Sequence, residues 1–412
     1  MDVRKRYADI GVNVDAALET LRKVPLSLNC WQGDDVGGFE KAGAELKGGG
    51  IQVTGNYPGK ARSITELQKD LEMTYSLIPG KHRLNLHAIY GEFGDRYVDR
   101  NRVDPEHFES WAKWSRDWDV PVDFNATCFS HSLADGGFTL SSKNSEIRNF
   151  WIEHVKRCRK ITDFFASNQG GESVHNLWIP DGFKDKPVDL YGHRRILADA
   201  LDEIFSLQYP EERVRDAVES KLFGIGSESA VIGSHEFYLG YAITRGKMLC
   251  LDMGHFHTAE SVADKISAIL QFQDAFLLHI SRPVRWDSDH VAILSDELRD
   301  LANELVRCGA LNKGRLGLDF FDASINRIGA WAIGARSTLK ALLLALLEPR
   351  EAMLRYEEAG NNFGRLALLE EAKTMPFGLL WDEYCEVSKV PIDRNLIDAV
   401  MRYEREVLVN RG

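Results

Sequence analysis

The sequence predicts an α/β protein, namely a (β/α)8 TIM barrel followed by a C-terminal α-helical extension. Short apolar runs alternate with segments of helical periodicity over most of the chain, and near Ala330 the pattern changes to almost continuous helix. Strands that alternate with helices pair in parallel with a right-handed wind, and eight such units close a barrel. A length of 412 residues fits one barrel with additions.

Eight apolar runs are typical of buried parallel strands, and they occupy residues 25–31, 83–90, 121–129, 174–180, 218–225, 248–256, 275–281 and 315–321. Between them, helical periodicity is clearest in residues 63–77, 105–118, 145–167, 192–207, 258–271 and 294–308. Thr258 and Ser295 precede two of these segments as capping residues. The alternation of the two kinds of segment predicts the order of elements in the barrel.

The chain is expected to divide into residues 1–335, the barrel, and residues 336–412, the helical extension. The extension is interrupted at Pro349 and at Gly360, and further helix follows to the end. The barrel portion contains a long Gly-rich segment, residues 32–62. A loop of this length is uncommon unless it serves binding or covers a site.

The charge balance excludes some classes of partner. A net charge of −11 argues against nucleic acid and against an anionic membrane surface, both of which attract basic proteins. The longest apolar run, residues 341–347, is far shorter than the ~20 residues that span a bilayer. The six cysteines are scattered and the first ten residues lack the apolar segment of a secretion signal. We therefore expect a cytoplasmic protein.

Polar residues stand at or near the end of almost every predicted strand, where buried parallel strands are usually apolar. They are His87, Asn125, Trp178, Asp181, Glu219, Lys221, Asp252, His255, His279, Asp287, Asp289, Asp319 and Asp322. In a barrel the functional groups collect at the C-terminal ends of the strands. A carboxylate is costly to bury unless it is paired or bound to a cation, so these ends predict a site for divalent ions.

Two groups of ligands can be formed from these residues. Three carboxylates and one imidazole could enclose one ion: Glu219, Asp252, His279 and Asp319. His255, Asp287 and Asp289 could hold a second ion with positions open for water and substrate. This donor mixture suits Mn²⁺, Co²⁺, Mg²⁺ or Zn²⁺. Each residue alone has a plainer explanation, such as an ion pair, a helix cap, a core histidine at His279, or a lysine at 221 that only neutralises Glu219.

The chain resembles the L-rhamnose isomerase family over essentially its whole length. The matching stretches are CWQGDDVGGFE (30–40), TGNYPGKAR (54–62), RLNLHAIY (83–90), LWIPDG (177–182), AVESKLFGIG (217–226), LDMGHFH (251–257), ISRPVRWDSDHV (280–291) and GLDFFDASINRI (317–328). One departure is CFSHS (128–132), where proline is expected after the histidine; it leaves the metal positions untouched.

The resemblance implies a (β/α)8 barrel, usually a homotetramer, that acts on a small sugar. It implies that a catalytic Mn²⁺, replaceable by Co²⁺ or Mg²⁺, is bound by His255, Asp287 and Asp289. It implies a second, structural ion, Zn²⁺ or Mn²⁺, bound by Glu219, Asp252, His279 and Asp319. Substrate contacts are expected from His87, Trp178, Lys221 and Asp289, and catalytic roles from Lys221, Asp319 and Glu219.

The expected reaction converts L-rhamnose to L-rhamnulose, the first step of L-rhamnose catabolism. The ring would open with a water near Asp319 as acid and base, and a metal-assisted hydride shift would move hydrogen from C2 to C1. Lys221 would stabilise charge on the carbonyl oxygen. An enediol route is the alternative. Rival functions are isomerisation of another aldose, a barrel metallohydrolase, and a sugar- or metal-binding protein without catalysis.

Overall fold

The computed structural model describes residues 2–40, 53, 55–94, 97–222, 228–257, 259–284 and 289–411. Within them, eight parallel strands form a closed barrel: β1 (Pro25–Asn29), β2 (Lys81–His87), β3 (Val122–Asn125), β4 (Ser173–Trp178), β6 (Val214–Glu219), β8 (Met248–Asp252), β9 (Phe276–Ile280) and β10 (Gly314–Leu318). Two short strands outside the barrel, β5 (Gly182–Phe183) and β7 (Ala230–Val231), pair in antiparallel fashion. The predicted fold class is confirmed.

Helices follow the barrel strands in the predicted order. Those before the C-terminal region are α1 (Val3–Asp9), α2 (Val14–Leu21), α3 (Ile64–Tyr75), α4 (Glu109–Trp118), α5 (Ser145–Gln169), α6 (Leu190–Phe205), α7 (His235–Arg245), α8 (Ala263–Ile269) and α9 (Asp296–Arg307). Ser295 caps α9 as predicted, because its side chain accepts from the Leu298 amide. Helix α8 begins later than predicted, and Thr258 lies outside the described residues.

The strand register brings the polar strand ends to one mouth of the barrel. Trp178 of β4 lies opposite Glu219 of β6. Asp252 of β8 lies opposite His279 of β9. Because all eight strands are parallel, their C-terminal residues meet at the same end of the barrel.

Part of the barrel interior below this mouth is apolar. One buried cluster consists of Val174, Ala217, Met248, Cys250, Ala275 and Leu277. Side chains alternate between the two faces of a strand, so Ala217 shares the face of Glu219, Cys250 that of Asp252 and Leu277 that of His279. These apolar side chains therefore lie in the barrel interior directly below Glu219, Asp252 and His279. The larger core fills the space between the strands and the surrounding helices.

Five helices complete the chain: α10 (Arg327–Leu346), α11 (Arg350–Glu358), α12 (Asn362–Ala372), α13 (Phe377–Val387) and α14 (Asp393–Glu406). The interruptions predicted at Pro349 and Gly360 are present. The predicted division between residues 335 and 336 falls inside α10, which packs against β1, α2, α3 and α9. Among the described helices, α10 is long and apolar enough to cross a bilayer, but 72% of its most apolar window is buried, as in a core helix.

Candidate metal centre

Four side chains from four strand ends converge at the barrel mouth, three of them buried and the fourth, Asp319, partly exposed. They are Glu219, Asp252, His279 and Asp319, and their potential ligand atoms all lie within 4.8 Å of one another. The Nδ1 atom of His279 lies 3.0 Å from Asp319 Oδ2, 3.2 Å from Glu219 Oε1 and 3.5 Å from Asp252 Oδ2. The structure thus brings together the four residues that were predicted to form one ion site.

The surroundings of these residues fit a divalent cation. Three carboxylates share one imidazole nitrogen, so the cluster holds more negative charge than its own cationic group can balance. The Nε2 atom of His279 is buried and makes no hydrogen bond to any described residue. Three oxygen donors and one nitrogen donor suit Mn²⁺, Mg²⁺, Co²⁺ or Zn²⁺. We therefore identify this cluster as a candidate metal centre.

Proton affinities in the cluster reflect this crowding. Burial, reinforced by the neighbouring carboxylates, raises the pKa of Asp252 to about 7. Burial alone would lower the pKa of His279, but the acids around it, including Glu219 and Asp319, raise it well above its ordinary value. Burial also opposes ionisation of Glu219, yet the His279 charge leaves the pKa of that carboxyl lowered. Without a cation, the cluster keeps protons that a cation would replace.

A cavity opens above the cluster, and Glu219, His279 and Asp319 belong to its lining. It is lined by Trp31, Val36, His87, Asn125, Ala126, Phe129, Asn176, Trp178, Glu219, His255, His279, Asp289, Asp319 and Phe321. The lining combines acids, imidazoles and amides with aromatic rings. Such a mixture of apolar wall and few polar groups is typical of a small-molecule site.

The second predicted ion site is only partly described. His255 Nδ1 lies 3.4 Å from Glu219 Oε1, so Glu219 contacts a histidine of each predicted set. Asp289 lines the cavity from a backbone with φ of 41°, a left-handed conformation that is uncommon for residues other than glycine. Asp287 lies outside the described residues, so this ligand set stays a prediction.

Aromatic rings form a continuous arc along the cavity. The Trp31 ring packs edge-on against His87 at 4.8 Å, His87 against Phe129 at 5.6 Å, and Phe129 against Trp178 at 5.9 Å between centroids. Burial lowers the pKa of His87 to about 4, so its imidazole is neutral at neutral pH. His87 and Trp178 both line the cavity, and their predicted substrate contacts stay predictions. The sequence did not single out Trp31 or Phe129, although each is the last residue of a predicted strand.

Trp31 also touches the metal centre. Its indole Nε1 donates a hydrogen bond of 3.1 Å to Asp319 Oδ1, which leaves Asp319 Oδ2 directed to His279. Such outer hydrogen bonds fix the orientation of a ligating carboxylate.

Lys221 follows strand β6, which ends at Glu219. Its buried ammonium donates to the Pro180 carbonyl and to Glu228 Oε2, each at 2.5 Å. Lys221 is therefore paired with Glu228 rather than Glu219, and it is not among the described residues that line the cavity. Its predicted catalytic and substrate roles stay predictions.

Two other strand-end acids support loops. Asp181 is fully buried and accepts hydrogen bonds from the amides and hydroxyls of Thr139 and Ser141. Asp322 accepts from the amide and hydroxyl of Ser324. Both carboxylates are satisfied by local donors, which distinguishes them from the acids of the metal centre.

Fold and site together define the class of this protein: a (β/α)8 barrel with a candidate divalent-metal centre beneath a cavity at the C-terminal ends of its strands. A family model described as L-rhamnose isomerase (RhaA) matches residues 1–411. The chain therefore belongs to the L-rhamnose isomerase family, and it is an isomerase.

Relatives of known name agree with this assignment. An L-rhamnose isomerase from Rhodopirellula baltica is 55% identical over 409 residues, which are 99% of this chain and 95% of that protein. An L-rhamnose isomerase from an Enterobacter species is 53% identical over 409 residues, 99% of this chain and 97% of that protein. Among solved structures, D-psicose 3-epimerase from Clostridium cellulolyticum H10 with D-tagatose has 11% identity and a TM-score of 0.49, covering 78% of this chain and 97% of that one.

Proposed function

We propose that this isomerase interconverts the aldose L-rhamnose and the ketose L-rhamnulose, in the cytoplasm, as the first step of L-rhamnose catabolism. The observation that carries the proposal is the cluster of Glu219, Asp252, His279 and Asp319 beneath a cavity lined by acidic, imidazole and aromatic side chains. The names of relatives that are more than half identical support the choice of sugar.

The proposed metals follow the two ligand sets. A catalytic Mn²⁺ would be held by His255, Asp287 and Asp289, with Co²⁺ or Mg²⁺ as substitutes. A second ion, Zn²⁺ or Mn²⁺, would be held by the four residues of the metal centre described above. A divalent ion supplies Lewis acidity that polarises a carbonyl oxygen.

The protein side chains would bind and orient the sugar. The apolar face of Trp178, extended by Phe129, provides a wall for C–H groups, and neutral His87 can exchange hydrogen bonds with hydroxyls. Asp319 is 19% exposed, the most accessible acid of the centre, which suits an exchange of protons with water during ring opening. Buried Lys221, paired with partly exposed Glu228, places an ammonium group beside the end of β4.

In the proposed reaction, hydrogen moves as hydride from C2 to C1 of the open-chain sugar, and the proton of the C2 hydroxyl is transferred to the C1 oxygen, so that the aldose becomes the isomeric ketose. The apolar aromatic wall limits access of water to those carbons, which favours direct transfer over an enediol that exchanges with solvent. Turnover in D₂O distinguishes the two routes. Little deuterium at C1 of the ketose is expected, and substantial incorporation would support the enediol route.

The main test removes and restores the metal. Protein stripped with a chelator is incubated with L-rhamnose with and without Mn²⁺, and ketose is measured. Asp287→Ala and Asp319→Asn are compared with Asp322→Asn, a matched control whose carboxylate caps Ser324 on the same loop. We expect Mn²⁺-dependent L-rhamnulose from the wild type and from Asp322→Asn, with at least a hundredfold loss in the other two variants, ~3 kcal/mol of barrier.

Two results would contradict the proposal. Turnover of other aldoses but not L-rhamnose would keep the isomerase and change the substrate. No ketose from any aldose, with metal demonstrably bound, would reject the proposed reaction.

We also propose a homotetramer. The chain mass is 46.6 kDa, so light scattering after size exclusion should give about 186 kDa, four times this value. A mass near 47 or 93 kDa would indicate a monomer or a dimer instead.

A further inference from the structure

The two halves of the barrel mouth differ in chemistry. Each of the first four barrel strands places one asparagine in the buried interior: Asn29, Asn85, Asn125 and Asn176, which are at most 5% exposed. The remaining four strands contribute the acids and the imidazole of the metal centre. Strand β4 pairs with β6, so Asn176 lies where the amide half meets the acidic half.

Asn176 contacts the metal centre through Glu219. Its Nδ2 donates to Glu219 Oε2 at 2.5 Å, and both side chains are buried. The other carboxylate oxygen, Oε1, faces His279 at 3.2 Å and His255 at 3.4 Å. One oxygen of Glu219 is thus held by the amide, and the other is directed between the two histidines.

This contact fixes the orientation of the amide. An ionised carboxylate only accepts hydrogen bonds, so the NH₂ group of Asn176 must face Glu219. The Oδ1 atom must then point away, and it accepts no hydrogen bond from any described residue although it is buried. Asn176 also lines the cavity. A buried amide oxygen without a donor is costly, and a hydroxyl of a bound sugar would satisfy it.

We propose that Asn176 is a positioning residue with two tasks: it holds Glu219 in the orientation that binds the cation, and it accepts a hydrogen bond from a substrate hydroxyl. The hydrogen bond from Asn176 to a sugar hydroxyl rests on the proposed function. The orientation of Glu219 by Asn176 requires only that the centre binds a metal ion. Hydrogen-bonding partners of metal ligands typically change metal affinity by about 10–100-fold when they are removed.

Asn125 is a suitable comparison residue. It also lines the cavity and is also buried, but its Nδ2 donates to Asn85 Oδ1 at 2.5 Å and to the Leu86 carbonyl at 3.0 Å. The N–H groups of the Asn125 side chain therefore donate to residues of β2 and not to an acid of the metal centre. Replacing Asn125 therefore perturbs a buried amide without touching Glu219.

The experiment compares Asn176→Leu with Asn125→Leu, since leucine keeps the size of asparagine and removes its hydrogen bonds. Mn²⁺ binding to the metal-stripped proteins is measured by calorimetry, and kcat and KM for L-rhamnose are measured at saturating Mn²⁺. We expect Asn176→Leu to weaken Mn²⁺ binding by about 10–100-fold. At saturating Mn²⁺ most of kcat should return, while KM stays raised because Oδ1 is missing. Asn125→Leu should keep Mn²⁺ affinity within about threefold of the wild type, ~0.7 kcal/mol.

Wild-type Mn²⁺ affinity in folded Asn176→Leu would overturn the proposal, as would an equal loss in Asn125→Leu. If leucine prevents folding, Asn176→Ser, too short to reach Glu219, should weaken Mn²⁺ binding in the same way. A crystal structure of the Mn²⁺-loaded wild type tests the contact without substitution, and separation of Asn176 from Glu219 there would overturn it. Mn²⁺ affinity is measured without sugar, so absence of L-rhamnose turnover would reject the proposed function and leave this result standing.

Discussion

At the scale of single residues, the neighbours of a carboxylate separate metal ligands from structural acids. Asp181 and Asp322 receive backbone N–H groups and hydroxyls, and these donors satisfy their oxygens. Asp252 lies among Glu219, Asp319 and one imidazole, where further positive charge is needed. Both kinds of acid follow strands, so position in the sequence did not distinguish them. The surrounding donors do.

Without a bound cation, the acids and the imidazole of the metal centre hold protons. We therefore expect the gain in folding stability from a bound metal ion to increase with pH. Burial raises the pKa of folded Asp252 to about 7, against about 3.9 in an unfolded chain. A group with a raised folded pKa binds more protons in the folded state, so it stabilises the fold at low pH and this contribution is lost between about pH 4 and pH 7. The raised pKa of His279 acts in the same direction above its ordinary value of about 6.5. A bound cation replaces these protons and removes the loss.

The measurement is Tm with and without saturating Mn²⁺ between about pH 5 and pH 8. The difference between the two Tm values should increase steadily with pH. Asp252→Asn, which cannot titrate, should show a smaller increase. A difference independent of pH, or one that shrinks, would contradict the protonation scheme.

Residue identities at the metal centre could be predicted from sequence because carboxylates are rare inside parallel strands. Glu219, Asp252, His279 and Asp319 were grouped for that reason, and the structure places them close together. The partner of Lys221 could not be predicted, since the ending of β6 at Glu219 and the approach of Glu228 depend on the fold. Trp31 was missed because an aromatic residue at the end of a predicted strand is typical of ordinary core.

At the scale of elements, Arg100 joins the loops that follow β1 and β3. Its guanidinium is buried and pairs with both oxygens of Glu40, 2.9 and 3.0 Å away. It also donates to the carbonyls of Thr127, Phe129 and Ser130. All of its N–H groups have acceptors, so the two loops are held together. Phe129 belongs to the aromatic wall of the cavity.

Weakening this junction should impair substrate binding more than turnover. Glu40→Gln removes the charge opposite buried Arg100, so the loop bearing Phe129 loses restraint. We expect KM for the sugar to rise about tenfold, ~1.4 kcal/mol, with a smaller change in kcat. Steady-state kinetics at saturating Mn²⁺ provides the measurement. Glu383→Gln, which breaks the solvent-exposed pair with Arg4, is the control and should leave KM unchanged.

Because Asp181 accepts hydrogen bonds from Thr139 and Ser141, replacing it should lower the free energy of unfolding and leave Mn²⁺ affinity unchanged. Asp181→Asn places an amide NH₂ against donors of Thr139 or Ser141, so at least one hydrogen bond is replaced by a donor–donor contact. The free energy of unfolding in urea should fall by about 3 kcal/mol. Asp135→Asn, exposed on the same segment, should change it by less than about 0.5 kcal/mol. Mn²⁺ affinity should stay at the wild-type value in both, and a large loss in Asp181→Asn would assign this acid to the metal centre.

Strands and helices were largely predictable because their periodicities differ. Every barrel strand overlaps a predicted run, although the observed strands are shorter where the hydrogen-bonded ladder ends before the apolar run does. Helix α10 was the difficult element. Helical periodicity continues from α10 into the extension, so the sequence alone shows no boundary between them. Burial on nearly all faces of α10 identifies it as a core helix.

At the scale of the whole molecule, the C-terminal segment returns to the start of the barrel. Buried Arg411 pairs with Asp70 of α3 at 2.6 and 2.8 Å and donates to the Gly59 carbonyl. Tyr403 of α14 donates to the same Asp70 at 2.7 Å. Glu404 accepts from Tyr57 and Asn326. Helix α14 and the residues after it are thereby bound to α3 and to Tyr57 and Gly59, which precede α3 in the chain.

These contacts continue to the cavity. Arg327, at the start of α10, donates to the Tyr57 carbonyl and pairs with Asp35 through two hydrogen bonds of 2.8 Å. Asp35 directly precedes Val36, which lines the cavity, and both have φ near 60°. The left-handed backbone of a β-branched valine is strained and persists only where surrounding contacts hold it. The C-terminal segment therefore supports the loop at the cavity through Tyr57 and Arg327.

Removing the Arg411 side chain should destabilise the whole molecule. Arg411→Ala leaves the buried Asp70 carboxylate with Tyr403 as its remaining donor among the contacts above, and breaking a buried ion pair typically costs about 3–5 kcal/mol. Urea unfolding of the metal-free protein should show a loss of this size. Arg405→Ala, exposed on α14, is the matched control and should lie within about 0.5 kcal/mol of the wild type. Asp70→Asn combined with Arg411→Ala should cost less than the sum of the single changes, because no buried charge is then left unpaired. Additive losses would show that Arg411 stabilises the protein by packing rather than by its charge.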